Sequence, residues 1–124
     1  MRISLIDDNE LVLLVHEKLV RKRYETCEIN KYKCPKNYLK DLKNKIIPAS
    51  DIILSDYNMG KYNGIELLSD VETIKEELQI PNEKLQFYIV SAEDNLKQIY
   101  EECKSAHLKG YFHKPLEQEH LKEI

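Results

Sequence analysis

The sequence predicts an α/β protein: a doubly wound, five-stranded parallel sheet with helices on both faces. Three observations carry this reading. Short apolar runs alternate with longer stretches of helical periodicity in five rounds, the pattern of parallel strands joined by right-handed helical crossovers. Ile52-Ile53-Leu54 and Phe87-Tyr88-Ile89-Val90 are continuously apolar, which suits strands covered on both faces. The chain has 124 residues, enough for one domain with a sizeable core and too few for two.

Each element follows from local chemistry. Ile3–Ile6 reads as the first strand, stopped by Asp7-Asp8-Asn9. Leu11, Leu14, Val15 and Leu19 recur at helical spacing up to about Arg23. A polar second strand is expected near Thr26–Tyr32. Pro35 starts a helix carrying Leu39, Leu42 and Ile46, which Pro48 ends. The third strand is Ile52–Leu54, bounded by Asp51 and Asp56. A loop with Gly60 and Gly64 leads into a helix carrying Leu67, Val71, Ile74 and Leu78, and Pro81 interrupts. Phe87–Val90 is the fourth strand, followed by a stripe of Leu96, Ile99, Tyr100 and Cys103. Gly110–His113 is the last strand, cut off by Lys114-Pro115, and a short helix runs from Glu117 to Ile124.

Composition narrows the function. The chain holds 19 Lys+Arg against 22 Asp+Glu, a net charge of −3, which argues against direct nucleic-acid binding. No apolar run approaches the ~20 residues that span a bilayer, and the start is not a signal peptide. The expectation is a soluble, cytoplasmic protein with no membrane partner. Cys27, Cys34 and Cys103 are odd in number and form no CxxC pair, so they read as reduced structural thiols. His16, His107, His113 and His120 are scattered and receive no role.

In a doubly wound sheet the ligand site lies at the carboxyl ends of the strands. Those ends carry Asp7-Asp8, then Asp56, then Ser91, then Lys114. Strand-end Asp and Ser often serve as turns and caps, so any one of them alone says little. Together they bring three carboxylates, a hydroxyl and an ammonium to one edge. Crowded carboxylates repel unless a cation joins them, and hard oxygen ligands suit Mg²⁺ or Mn²⁺. A divalent ion, a lysine and a hydroxyl would clamp a phosphoryl group. One carboxylate could then attack phosphorus to give an aspartyl phosphate.

With these residues in view, the chain resembles the CheY-like receiver domain of two-component response regulators, over essentially its whole length. The matches are Ile6-Asp7-Asp8, Leu54-Ser55-Asp56, Asn58-Met59, Gly64, Val90-Ser91-Ala92 and Gly110-Tyr111-Phe112-His113-Lys114-Pro115. The resemblance implies a flavodoxin-like strand order 2-1-3-4-5. It implies that Asp56 is the phospho-acceptor, and that Asp8, Asp56 and the backbone carbonyl of Asn58 ligate Mg²⁺ while Asp7 acts through a metal-bound water. Lys114 would pair with Asp56 and then with the phosphoryl oxygens. Ser91 would donate to the phosphoryl group, small Ala92 would leave it room, and Tyr111 would be the switch aromatic. Asn58 and Glu93 would tune dephosphorylation, and Pro115 would follow a cis bond. The phosphodonor would be a sensor histidine kinase or a phosphotransfer protein, and the response would alter the surface of the fourth helix, fifth strand and fifth helix.

The chain departs from that family at four places. Gly60 replaces the usual proline, which predicts a looser loop after Asp56. His107 stands where a glycine commonly ends the fourth helix and is expected to tolerate a left-handed cap. The stretch from Lys75 to Gln86 is long, and the last helix is short, as in a receiver cut from a longer regulator. Two other readings remain at this level: a Mg²⁺-dependent phosphohydrolase with an Asp nucleophile, and a degenerate receiver acting only as an interaction module.

Overall fold

The structure, a computed structural model, describes residues 1–81 and 84–124. In chain order the elements are β1 (Arg2–Ile6), α1 (Glu10–Arg23), β2 (Glu28–Tyr32), α2 (Pro35–Lys43) and β3 (Ile52–Ser55). Then come β4 (Asn58–Met59), β5 (Tyr62–Asn63), α3 (Gly64–Glu77), β6 (Gln86–Ser91), α4 (Leu96–Glu102), β7 (Leu108–His113) and α5 (Gln118–Leu121). The main sheet has the order β2-β1-β3-β6-β7 and is parallel throughout. That is the 2-1-3-4-5 order, with β6 and β7 as the fourth and fifth strands.

The apolar runs explain the layering. Successive strand residues point to opposite faces. Ile53, Phe87 and Ile89 join Tyr38, Leu42, Leu67 and Val71 in one core, under α2, α3 and α4. Ile52, Leu54, Tyr88 and Val90 join Leu13, Val20, Phe112 and Leu121 in the other, under α1 and α5. β3 is buried at every position, as a continuous apolar triplet requires. Among the described residues, no helix is long and apolar enough to cross a membrane.

The helix ends show where local chemistry was readable. Asn9 caps α1, its side chain accepting from the N–H groups of Leu11 and Val12. Asn63 and Glu66 form a capping box on α3. At the other ends, α2 and α3 both close without glycine. Lys45 (φ 59°) and Gln79 (φ 58°) adopt left-handed backbone. The N–H groups of Ile46 and Ile80 return to the carbonyls of Asp41 and Lys75, the longer bond of a Schellman closure.

Several expectations need correction. The stripe on α1 is not its buried face: Leu11, Leu14 and Val15 are 68%, 44% and 47% exposed, while Leu13, His16 and Val20 are buried. Spacings of three and four fit both sets, and α1 carries apolar residues on more than one side, so periodicity could not choose. α2 ends at Lys43, before Ile46, which is exposed. The second strand starts at Glu28 rather than Thr26, and the last starts at Leu108. The loop after Asp56 is ordered by the two-stranded hairpin β4–β5, with Gly60 at φ 80° in its turn. His107 takes no left-handed conformation. It lies beyond α4, and its Nδ1 meets Glu72 Oε2 at 2.5 Å. α5 is a single turn. Residues 82 and 83 of the long 75–86 stretch lie outside the described residues.

Candidate functional site

β1 and β3 lie side by side at the centre of the sheet, and their crossovers lead to opposite faces. This opens the crevice expected at such a switch point. Asp7 and Asp8 follow β1, Asp56 follows β3, Ser91 ends β6 and Lys114 follows β7. Asp7 is 2% and Asp56 9% exposed, whereas Asp8 is open to solvent. Ligand oxygens of Asp7, Asp8 and Asp56 all lie within 4.8 Å of one another.

Lys114 reaches into this cluster. Its Nζ donates to Asp7 Oδ2 at 2.7 Å and to Asp56 Oδ2 at 3.3 Å, so its shorter bond is to Asp7. Burial pushes the Asp56 carboxyl above its ordinary range; Lys114 opposes this, and the charge of Asp7 adds to it. Burial works against the Lys114 ammonium, but the hydrogen bond and charge of Asp7, helped by Asp56, raise its pKa overall. Three carboxylates share one ammonium, which leaves the cluster with uncompensated negative charge. A hard divalent cation is the group this donor set fits.

The backbone holds the cluster in place. Asp7 Oδ1 accepts from the Asn9 N–H at 2.9 Å, and Asp56 Oδ1 accepts from the Tyr57 N–H at 2.7 Å. A Cβ at Gly64 would lie 2.8 Å from the Asp56 carbonyl oxygen, so only glycine lets α3 start this close behind Asp56. Ser91 is 2% exposed, and its Oγ accepts from the Glu93 N–H at 3.3 Å. Across the mouth, Asn58 Nδ2 donates to Glu93 Oε1 at 3.4 Å. Tyr111 is half-buried, its ring 5.5 Å from that of Tyr100 on α4. The Lys114–Pro115 bond is cis.

The residues singled out in the sequence therefore converge on one edge, with Tyr111 on the flank. One residue was missed. His16 on α1 is buried and lines an apolar pocket shared with Lys114 and Pro115. Its signal was the alternative stripe Leu13, His16, Val20. Burial and the Lys114 charge lower its pKa to about 4, so it is a neutral imidazole at pH 7.

A sequence model described as the response regulator receiver domain matches residues 3–124. The chain belongs to that family. Solved receiver structures share its fold. A two-component response regulator from Cytophaga hutchinsonii is 21% identical with a TM-score of 0.80, over 98% of this chain and 91% of that one. A receiver domain protein from Clostridium thermocellum is 18% identical with a TM-score of 0.74, over 98% and 88%. RcsB from Salmonella enterica, solved bound to promoter rprA with the phosphomimetic BeF3⁻, is 16% identical with a TM-score of 0.71, over 99% of this chain and 64% of that one. No curated protein is significantly similar in sequence. The receiver domain is thus a two-component signalling module.

Proposed function

We propose that residues 1–124 act as a phospho-accepting receiver unit whose acceptor is Asp56. The observation that carries this reading is the placement of Asp56, nearly buried beside two further carboxylates, with Lys114 Nζ 3.3 Å from its Oδ2. An Asp56 oxygen attacks the phosphorus of a phosphohistidine on a sensor histidine kinase or phosphotransfer protein. The P–N bond breaks, and its electron pair leaves with the donor imidazole. Asp8, Asp56 and the Asn58 carbonyl would hold Mg²⁺ or Mn²⁺, with Asp7 acting through water. The bound ion would supply charge neutralisation of the transferring phosphoryl oxygens. Lys114 shifts its hydrogen bonds toward the phosphoryl group, and the Ser91 hydroxyl donates a hydrogen bond to it. Tyr111 then follows Ser91 inward and changes the surface formed by α4, β7 and α5.

The test is incubation with acetyl phosphate and Mg²⁺, read by intact-protein mass. Wild type gains one alkali-labile phosphoryl group, and Asp56→Asn gains none because an amide is no nucleophile there. Lys114→Ala retains some labelling but loses the shift of Tyr111 resonances. Labelling of the Asn variant at the wild-type level would overturn the assignment.

A further inference from the structure

The net charge of −3 hides an uneven distribution. Residues 18–45 carry 10 of the 19 Lys+Arg and only 3 of the 22 Asp+Glu. Part of this excess forms a stripe on α2. Lys36, Lys40 and Lys43 stand at i, i+4 and i+7, on one side of the helix, and all three are exposed. The neighbouring helix α3 carries the opposite stripe: Glu66, Asp70 and Glu77 stand at i, i+4 and i+11 and are exposed too. Among the described residues, none of the six has an ion-pair partner. Lys36 lies over the Tyr62 ring and Asp70 accepts from the Tyr62 hydroxyl, contacts that leave both charges uncompensated. The stripes cost the single chain stability. Like charges at i, i+4 repel. Lys36 stands in the first turn of α2, which holds no acid, and Glu77 ends α3, so both oppose their helix dipoles.

We infer that α2 and α3 together form a self-complementary face through which two copies of this chain associate. The two helices pack side by side on one face of the sheet. Each follows a strand of the same parallel sheet, so both start at the same edge and run in the same direction. A two-fold axis along the groove between them lays α2 of one copy over α3 of the other, and α3 over α2. Rotation about an axis parallel to the helices preserves their direction. Both stripes begin in the first turn and share a four-residue step, so Lys36 and Lys40 of one copy meet Glu66 and Asp70 of the other. This complementarity selects the occupant. A polyanion would match the lysines but meet the carboxylates one helix away, whereas a second copy satisfies both stripes at once. Exposed ion pairs contribute little each, so the association is weak and salt-sensitive. The six side chains take no part in the phosphoryl chemistry, and the unphosphorylated chain associates.

The experiment is sedimentation equilibrium of the whole chain. Wild type shows a monomer–dimer equilibrium whose dissociation constant rises about ten-fold between about 50 mM and about 500 mM NaCl. Lys40→Glu with Lys43→Glu weakens self-association about ten-fold, and so does Asp70→Lys with Glu77→Lys. Both variants keep the wild-type far-UV circular dichroism, because all four positions are exposed. An equimolar mixture of the two variants forms a heterodimer of near wild-type affinity: the two-fold axis sets reversed lysines against reversed acids at one contact and native against native at the other. The single changes Lys40→Glu and Asp70→Lys give the same pattern in smaller measure. A wild-type chain that stays monomeric at about 1 mM in low salt would overturn the inference. So would a dimer that survives both reversals, or two folded variants that fail to associate when mixed. A monomeric chain that binds duplex DNA through these lysines would replace the second copy with a polyanionic partner.

Discussion

At the scale of single residues, burial turns ordinary side chains into specialised ones. A histidine in the open chain titrates near 6.5, whereas folded His16 titrates at about 4, through burial first and the Lys114 charge second. Below pH 6.5 the unfolded chain binds a proton that the folded chain refuses, so stability falls with decreasing pH until about pH 4 and the loss then levels off. The full effect is roughly 3 kcal/mol. Urea titrations of wild type and His16→Leu across that range should diverge by this amount, the variant having the flatter profile. Parallel profiles would mean that His16 is solvated. Asn58 and Glu93 supply the second residue-scale prediction. Their hydrogen bond spans the mouth of the site, and both can hold an attacking water. Phosphorylated Asp56 is therefore expected to decay quickly after donor removal. Asn58→Arg and Glu93→Tyr should each slow that decay several-fold, which needs about 1 kcal/mol of barrier. Decay of both at the wild-type rate would show that these positions do not govern water access.

At the scale of elements, the informative cases are those where pattern and backbone disagree. Strand runs were legible because full burial demands continuous apolar residues, and β3 and β6 have them. The buried face of α1 was not legible, because its exposed Leu11, Leu14 and Val15 mimic a core stripe. The helix stops were readable only as far as Pro48 and Pro81 allowed. The actual closures fall earlier, at Lys45 and Gln79, where no glycine announces them. A non-glycine residue in the left-handed region costs roughly 1–2 kcal/mol, partly offset by the entropy that glycine loses on folding. Lys45→Gly should therefore stabilise the domain by about 0.5–1 kcal/mol, and Gln79→Gly by a similar amount. Thermal denaturation checks this, and a drop in Tm for Lys45→Gly would mean that its side chain contributes contacts that outweigh the backbone strain.

At the scale of the whole molecule, the site was more legible than the fold around it. Asp7, Asp8, Asp56, Ser91 and Lys114 stand next to strand ends, so the topology itself converts their sequence positions into proximity. His16 had no such marker, and neither did the preference of Lys114 for Asp7, which depends on packing across three strands. The convergence has a cost that the whole domain bears. Burial and the neighbouring Asp7 both disfavour the charged form of Asp56, so the ionised Asp56 costs the fold stability at neutral pH, a cost that a bound cation would offset. Asp56→Asn should therefore melt above wild type in metal-free buffer. Mg²⁺ should reverse that ranking. A ligand bound only by the folded state at ten times its dissociation constant adds about 1.4 kcal/mol, roughly 5 °C for a domain of this size. Wild type should show that gain in differential scanning calorimetry. Asp8→Asn and Asp56→Asn should show little of it, because each removes an oxygen donor and part of the negative charge that attracts the ion. If Mg²⁺ raises all three melting temperatures equally, it binds elsewhere on this acidic chain, and the cluster at the ends of β1 and β3 is not its site.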